Sequence, residues 1–296
     1  MNPKVADRIA TIVFYLIAAV LVVVLGALLG YSVYQGFPKI SWEFITSPPN
    51  IFTEGGGIGP QLFNSFYVMV LSMLMATPVA LGAGIYLAEY AKKNVWTKWI
   101  RALIEMLASL PSIVIGIFIF LTFVVQMGWG FSILSGAVAL AIFNMPLLVQ
   151  VVEESVRSIP NQQKQAGLAL GVSRWETIAH IVLPAALPEI VTGMIVGAGR
   201  VFGEAGALIY TAGMSSPNLD FANWNPFSPS SPLNPMRPAE TLAVHIWKVN
   251  GESIVPDAEA ISSGATLLLI LSIFICNISA RIIGAFVYRR LTSSSK

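Results

Sequence analysis

Charged side chains are scarce in this chain of 296 residues: Asp, Glu, Lys and Arg together make up 11%, against 55% hydrophobic residues, and mean hydropathy is +0.74. Soluble globular domains carry roughly a quarter charged residues, so this composition excludes a sizeable soluble domain. Cysteine is nearly missing too. Cys276 stands alone, which excludes an intramolecular disulfide framework and a Cys-based zinc site. Histidine occurs only at His180, expected on a helix surface, and at His245, far from it in sequence. There is no G-x-x-x-x-G-K-[ST] phosphate loop, no H-E-x-x-H and no G-x-S-x-G. Gly197, Gly199 and Gly203 come nearest to a dinucleotide fingerprint, but their spacing is wrong and they lie within an apolar run instead of after a strand. Catalysis and metal binding therefore have no evident home. The net charge of +2 comes with no basic patch, so nucleic acid is not an expected partner.

What the chain has in quantity is apolar runs of membrane-crossing length, about 20 residues. Six spans are predicted, over 11–34, 62–90, 101–126, 131–152, 187–212 and 258–288, giving an all-α polytopic membrane protein organised as a single transmembrane domain over 1–296. Spans three and four are joined only by Met127-Gly128-Trp129-Gly130, a tight hairpin with an interfacial Trp. Gly55, Gly56 and Gly57 with Gly59-Pro60 read as a turn-rich lead into span two.

The basic residues fall on one side of these spans. Lys4, Arg8, Lys92, Lys93, Lys98, Arg101, Arg157, Lys164, Arg174, Arg281, Arg289, Arg290 and Lys296 share it, whereas Lys39, Arg237 and Lys248 fall opposite. Cytoplasmic flanks carry the Lys and Arg excess. Both termini and the 91–100 and 153–186 loops are thus expected in the cytoplasm, with loops 36–60 and 213–257 outside. The first run is too long for a signal-peptide core and is read as a retained span.

In the long cytoplasmic loop, Gln165-Ala166-Gly167 is followed by three residues, Gly171, nine residues, and Ile181-Val182-Leu183-Pro184. This resembles the EAA loop of ABC importer permeases in every spacing, with Gln165 in place of the Glu and Gly167 in place of the second Ala. The resemblance implies a coupling helix that docks into a separate ATPase subunit, with Gln165, Ala166, Gly167, Gly171, Leu183 and Pro184 as coupling residues. Small residues let such a helix seat closely. Gly171 can turn the backbone at the end of one helix, and Pro184 can begin the next.

Span five carries Gly193, Gly197, Arg200, Glu204 and Thr211, spaced by 4, 3, 4 and 7, which predicts one small and polar helical face. A charge at mid-membrane costs about 2.5–3.5 kcal/mol on insertion scales, so Arg200 and Glu204 are expected to face protein or water. At i and i+4 they can pair. A guanidinium also matches the oxygen fork of a phosphate, so an anion is expected to take Arg200 from Glu204 in passing. Alternatively the pair only locks span five to a neighbour, with Gly193 and Gly197 as a packing face. Gly203, Thr211, Ser112 beside Pro111, and Asn144 near Pro146 are further candidates for the substrate path.

The similarity extends beyond the loop. The run Gly199-Arg200-Val201-Phe202-Gly203-Glu204 through Thr211-Ala212-Gly213 is similar to the signature of the PstA-type permeases of phosphate ABC importers. So are Leu62-Phe63-Asn64-Ser65-Phe66-Tyr67, Leu110-Pro111-Ser112 through Gly116, and Arg237-Pro238-Ala239-Glu240-Thr241 through His245-Ile246-Trp247, the last in a form like that of Gram-positive bacteria. The resemblance implies a type I ABC importer permease fold, a PstC-type permease as heterodimer partner, a PstB-type ATPase dimer that holds ATP and Mg, an external phosphate-binding protein, and phosphate as cargo. This chain itself is expected to hold no cofactor. The same machine for sulfate or molybdate is the alternative. A gradient-driven transporter would be expected to show internal repeats and broken-helix pairs, and the sequence reads as having neither.

Overall fold

A computed structural model describes residues 3–50, 55–92, 94–252 and 257–293. Lys93, Lys296 and parts of the two loops expected outside, 51–54 and 253–256, lie outside the described residues. All regular structure among the described residues is helical: α1 (Pro3–Gly36), α2 (Trp42–Thr46), α3 (Gly59–Tyr90), α4 (Val95–Ser109), α5 (Ser112–Gln126), α6 (Ile133–Ser158), α7 (Asn161–Ala169), α8 (Arg174–Phe202), α9 (Gly206–Thr211), α10 (Leu242–Glu252) and α11 (Ala258–Ser293). Five of these are long and apolar enough to cross a membrane, and the bent pair α4–α5 meets the same measure of length and hydropathy only when its two halves are taken together.

The centre is α6. It packs along α3 on one side and α8 on another, while α9 sits against α5 and α11 closes on α8. Small residues permit this. A Cβ at Gly84 of α3 would fall 2.6 Å from the Val152 side chain, and one at Gly116 of α5 would fall 2.8 Å from Ala207 Cα and 2.9 Å from its carbonyl oxygen. Backbone thus meets backbone where α5 crosses α9. Around that crossing Val68, Ile115, Ile119, Leu140, Phe143 and Leu208 form the main buried cluster. By contrast α1 packs on α11 and leaves most of its apolar side chains exposed.

Two expectations need correction. The run 101–126 is not one straight span: the chain bends by 98° between α4 and α5. Leu110 precedes a proline and adopts ψ 134°, and Pro111 has no N–H to continue the ladder, so the helix stops and restarts. The 153–186 loop is shorter than expected, because α6 runs on to Ser158 and α8 already begins at Arg174. There Ser173 caps the helix in a reciprocal box with Glu176. As expected, the regular α-helical stretch that reaches Phe202 begins at Leu183 with Pro184 in its first turn, although the chain is already helical before it. It follows a π turn over Ile178–Val182 that carries the helix past the missing N–H.

Candidate translocation site and coupling surface

Helix α8 stops at Phe202, Gly203 closes it, Glu204 N donates back to Val201 O, and the chain resumes as α9 at Gly206. Glycines on both sides of the break lower the cost of leaving helical geometry. Non-helical backbone at membrane depth is stable only against protein or water, so the break marks either a packed seam or a wet path. Both kinds of surface are present. On the packed side, Gly193 faces Val151, and Gly197 faces Asn144 and Leu148 of α6. On the other, Ser112 Oγ and Glu204 Oε1 flank Gly206, at 3.1 and 3.3 Å from where its Cβ would stand.

Arg200 and Glu204 do not form the expected pair, nor do Gly193 through Thr211 share one helical face. The break between Phe202 and Gly206 removes the continuous turn that an i,i+4 contact needs. The Arg200 guanidinium lies instead over the Phe143 ring, 4.1 Å from its centroid. Such a contact contributes about 0.5–1 kcal/mol when exposed and leaves the N–H fork free in the ring plane's vicinity. Arg200 is exposed, and no hydrogen bond or ion pair engages it among the described residues. Gly203 is exposed beside it.

The other two candidates lie elsewhere. Thr211 is fully buried, and its hydroxyl donates to Ala207 O at 2.9 Å, within α9. Asn144 is also fully buried, at the α6–α8 seam against Gly197, with Nδ2 3.5 Å from Met73 Sδ and Oδ1 without a partner. The structure therefore brings Arg200, Gly203, Glu204 and Ser112 to the break and leaves Thr211 and Asn144 inside the packing. Phe143, which holds the guanidinium, was missed. An aromatic in an apolar run carries no separate signal.

At the basic end, α7 presents Gln165 and Ala166 outward. Gly167 is buried, because a Cβ there would stand 2.8 Å from Ile181 Cδ1 and 2.9 Å from Thr177 Cγ2, which accounts for glycine at this position. Gly171 has φ +78°, the left-handed turn that closes α7, and Leu183 and Pro184 are half-buried behind it. Around these small residues Leu168, Leu170 and Trp175 are 49, 82 and 59% exposed. Large apolar groups in a polar loop were the available signal for Leu170 and Trp175. The unit is tied to the end of α3: Lys164 pairs with Glu89, Arg174 donates to Glu89 O, and its guanidinium lies over the Tyr90 ring.

The opposite end is closed by buried polar bonds. Arg237 donates to Asn64 Oδ1 at 2.7 Å and Pro232 O at 2.9 Å. Asn64 Nδ2 donates to Ser216 Oγ and Glu240 O, while Glu240 Oε2 accepts from Gln61 Nε2 at 2.9 Å. His245 Nδ1 and Lys248 Nζ lie 3.3 and 3.6 Å from Glu240 Oε1. Burial pushes the Glu240 carboxyl up, but His245, Gln61 and Lys248 together outweigh it and hold it below the usual carboxylate range. Burial alone lowers Arg237 to about 10, against a small opposing effect of Tyr67.

With this geometry in hand, residues 80–293 match the family described as binding-protein-dependent transport system inner membrane component. The chain belongs to that family. It is a membrane-embedded permease subunit of an ABC importer, and such a permease works with an ATPase and a substrate-binding protein. The permease is 49% identical over 294 residues to the probable ABC transporter permease protein YqgI of Bacillus subtilis, covering 99% of this chain and all of that one. It is 32% identical over 243 residues to the phosphate transport system permease protein PstA of Yersinia pestis, covering 81% of this chain and 76% of that one. Among solved structures it resembles a bacterial ABC transporter involved in the import of the acidic polysaccharide alginate, at TM-score 0.60 and 15% identity over 96% of this chain and 97% of that one. The MetNI methionine transporter in an inward-facing conformation follows at 0.58 and 15%, over 77% of this chain and 93% of that one. At such identities these two show the fold alone, a type I importer permease.

Proposed function

We propose that this permease forms half of the translocation path of an ATP-driven phosphate importer, and that Arg200 is its contact with the anion. The observation that carries the reading is the unpaired guanidinium of Arg200 at the α8–α9 break, held over Phe143 with its donors unspent. A planar five-donor fork suits two phosphate oxygens at once. Glu204, four residues on and not bonded to it, sets a negative charge beside the path that keeps the anion from being trapped, and its carboxylate can accept a hydrogen bond from the P–O–H group that phosphate carries and sulfate lacks at neutral pH. Similarity to the PstA protein of Yersinia pestis supports the cargo.

In this reading the basic end is cytoplasmic. The exposed Leu168, Leu170 and Trp175 around Gln165 and Ala166 seat in a groove of a PstB-type ATPase dimer, which holds ATP and Mg. The opposite end receives the phosphate-binding protein, and a PstC-type permease supplies the other half of the path.

The test is uptake of labelled phosphate by vesicles holding both permeases, the ATPase and the binding protein, with sulfate and molybdate as competitors. ATP-dependent uptake blocked only by unlabelled phosphate is expected. An assembled, ATP-hydrolysing complex that moves sulfate or molybdate but no phosphate contradicts the cargo.

A further inference from the structure

The end opposite the basic one carries three basic side chains, and two of them are committed. Lys39 pairs with Asp257 at 2.7 Å. Arg237 is 3% exposed and spends its donors on Asn64, Pro232 and Pro238. Lys248 is different. Its side chain is 21% exposed and lines a cavity of about 650 Å³ together with Phe131, Ile209, Gly213, Met214 and Ser215. One N–H donates to Met214 O at 2.9 Å, while Glu240 Oε1 at 3.6 Å lies beyond hydrogen-bond range. An ammonium has three donors, so Lys248 retains capacity to bind. Glu240 also divides its charge with Gln61 and His245.

The cavity adjoins the helix break. Gly206 and Ile209 stand at i and i+3 of α9, and Gly213 follows just past its end in a left-handed turn at φ +92°. The first lies between Ser112 Oγ and Glu204 Oε1, and the other two line the cavity. The six-residue helix α9, about 9 Å long at 1.5 Å per residue, joins the two polar places along the chain.

We propose that Lys248, with Ser215 beside it, is the receiving site for the oxyanion, ahead of Arg200. This rests on the transport reading above. The two cations suit successive tasks. An ammonium is a compact, strongly hydrated charge that holds a hydrated anion without fixing its orientation, whereas the guanidinium fork imposes one. Passage requires each site to bind well enough to admit the ion and weakly enough to release it, and the single amine, partly offset by Glu240, meets that condition.

The experiment uses the assembled complex in lipid nanodiscs without the binding protein. Acylation of Lys248 by an amine reagent is followed by mass spectrometry in inorganic phosphate and in chloride of equal ionic strength. Phosphate is expected to slow acylation several-fold. In vesicles with the binding protein present, Lys248→Gln is expected to lower uptake roughly tenfold at subsaturating phosphate and Lys248→Arg to restore most of it. Acylation indifferent to phosphate, in a wild-type complex that takes phosphate up, overturns the receiving site and leaves the transport reading intact. A wild-type complex that takes up no phosphate overturns the transport reading, and this assignment with it.

Discussion

The two ends of the permease are built on opposite plans. At the end carrying Arg237 and Glu240, polar side chains are buried and spend their bonds on one another and on backbone, tying the 213–250 segment to the first turns of α3. At the basic end, α7 and the start of α8 hold together through a few contacts to Glu89 and Tyr90 and turn Leu168, Leu170 and Trp175 outward. One end is held mainly by bonds within the chain, with Gln61 Oε1, Arg237 Nε and Glu240 Oε1 left without a hydrogen bond, and the other turns apolar side chains outward. The difference teaches where a substitution acts on folding and where it acts on coupling.

The largest effect on folding is expected from Arg237→Met. It leaves Asn64 Oδ1 and the carbonyls of Pro232 and Pro238 buried without their donor, at about 1–3 kcal/mol for each group. Thermal unfolding of the purified complex should drop by several degrees or the chain should fail to assemble. Next, Leu170→Ala with Trp175→Ala should leave the melting temperature of the permease pair unchanged and weaken ATPase binding roughly tenfold or more in a pull-down titration, as loss of exposed apolar anchors does at an interface. Unchanged binding would erase the contrast between the ends.

Acid sharpens the same contrast. Glu240 has a folded-state pKa below its unfolded one, so its contribution is complete above the ordinary glutamate range and is lost as pH falls through the lowered value. Hydrogen exchange in the Glu240–Val249 stretch should therefore accelerate in acid, and less so in Glu240→Gln. The smallest effect belongs to Ser173→Ala, which removes the α8 cap. It should cost about 1 kcal/mol of local stability, visible as faster exchange over Arg174–Thr177 without loss of the global fold. Glu176, held below the usual carboxylate range by the Ser173 hydroxyl and backbone N–H, should lose its half of the cap in acid as well.

The fold class was legible because apolar length and charge asymmetry are local properties of the sequence. In the 165–184 segment, Gly167 and Gly171 have physical reasons in the structure that match their small size. The bend at Leu110–Pro111 was obscured because the apolar run continues across it. The Arg200–Glu204 pair misled because helical periodicity assumes an unbroken helix, and the two glycines that break it, Gly203 and Gly206, read equally well as packing residues. Thr211 and Asn144 looked like path residues by polarity alone. A bond one turn back to Ala207 O takes up the Thr211 hydroxyl, whereas the burial of Asn144 at the α6–α8 seam shows only in tertiary contact.

The most direct test of Arg200 as the anion's contact is phosphate uptake by Arg200→Ala in the reconstituted importer, measured beside ATP hydrolysis stimulated by the binding protein. Uptake should fall roughly a hundredfold or more, as expected for removing one partner of a desolvated charge contact, with Arg200→Lys recovering part of it and stimulated hydrolysis retained. Uptake at the wild-type rate in Arg200→Ala would contradict the account and return Arg200 to a packing role over Phe143.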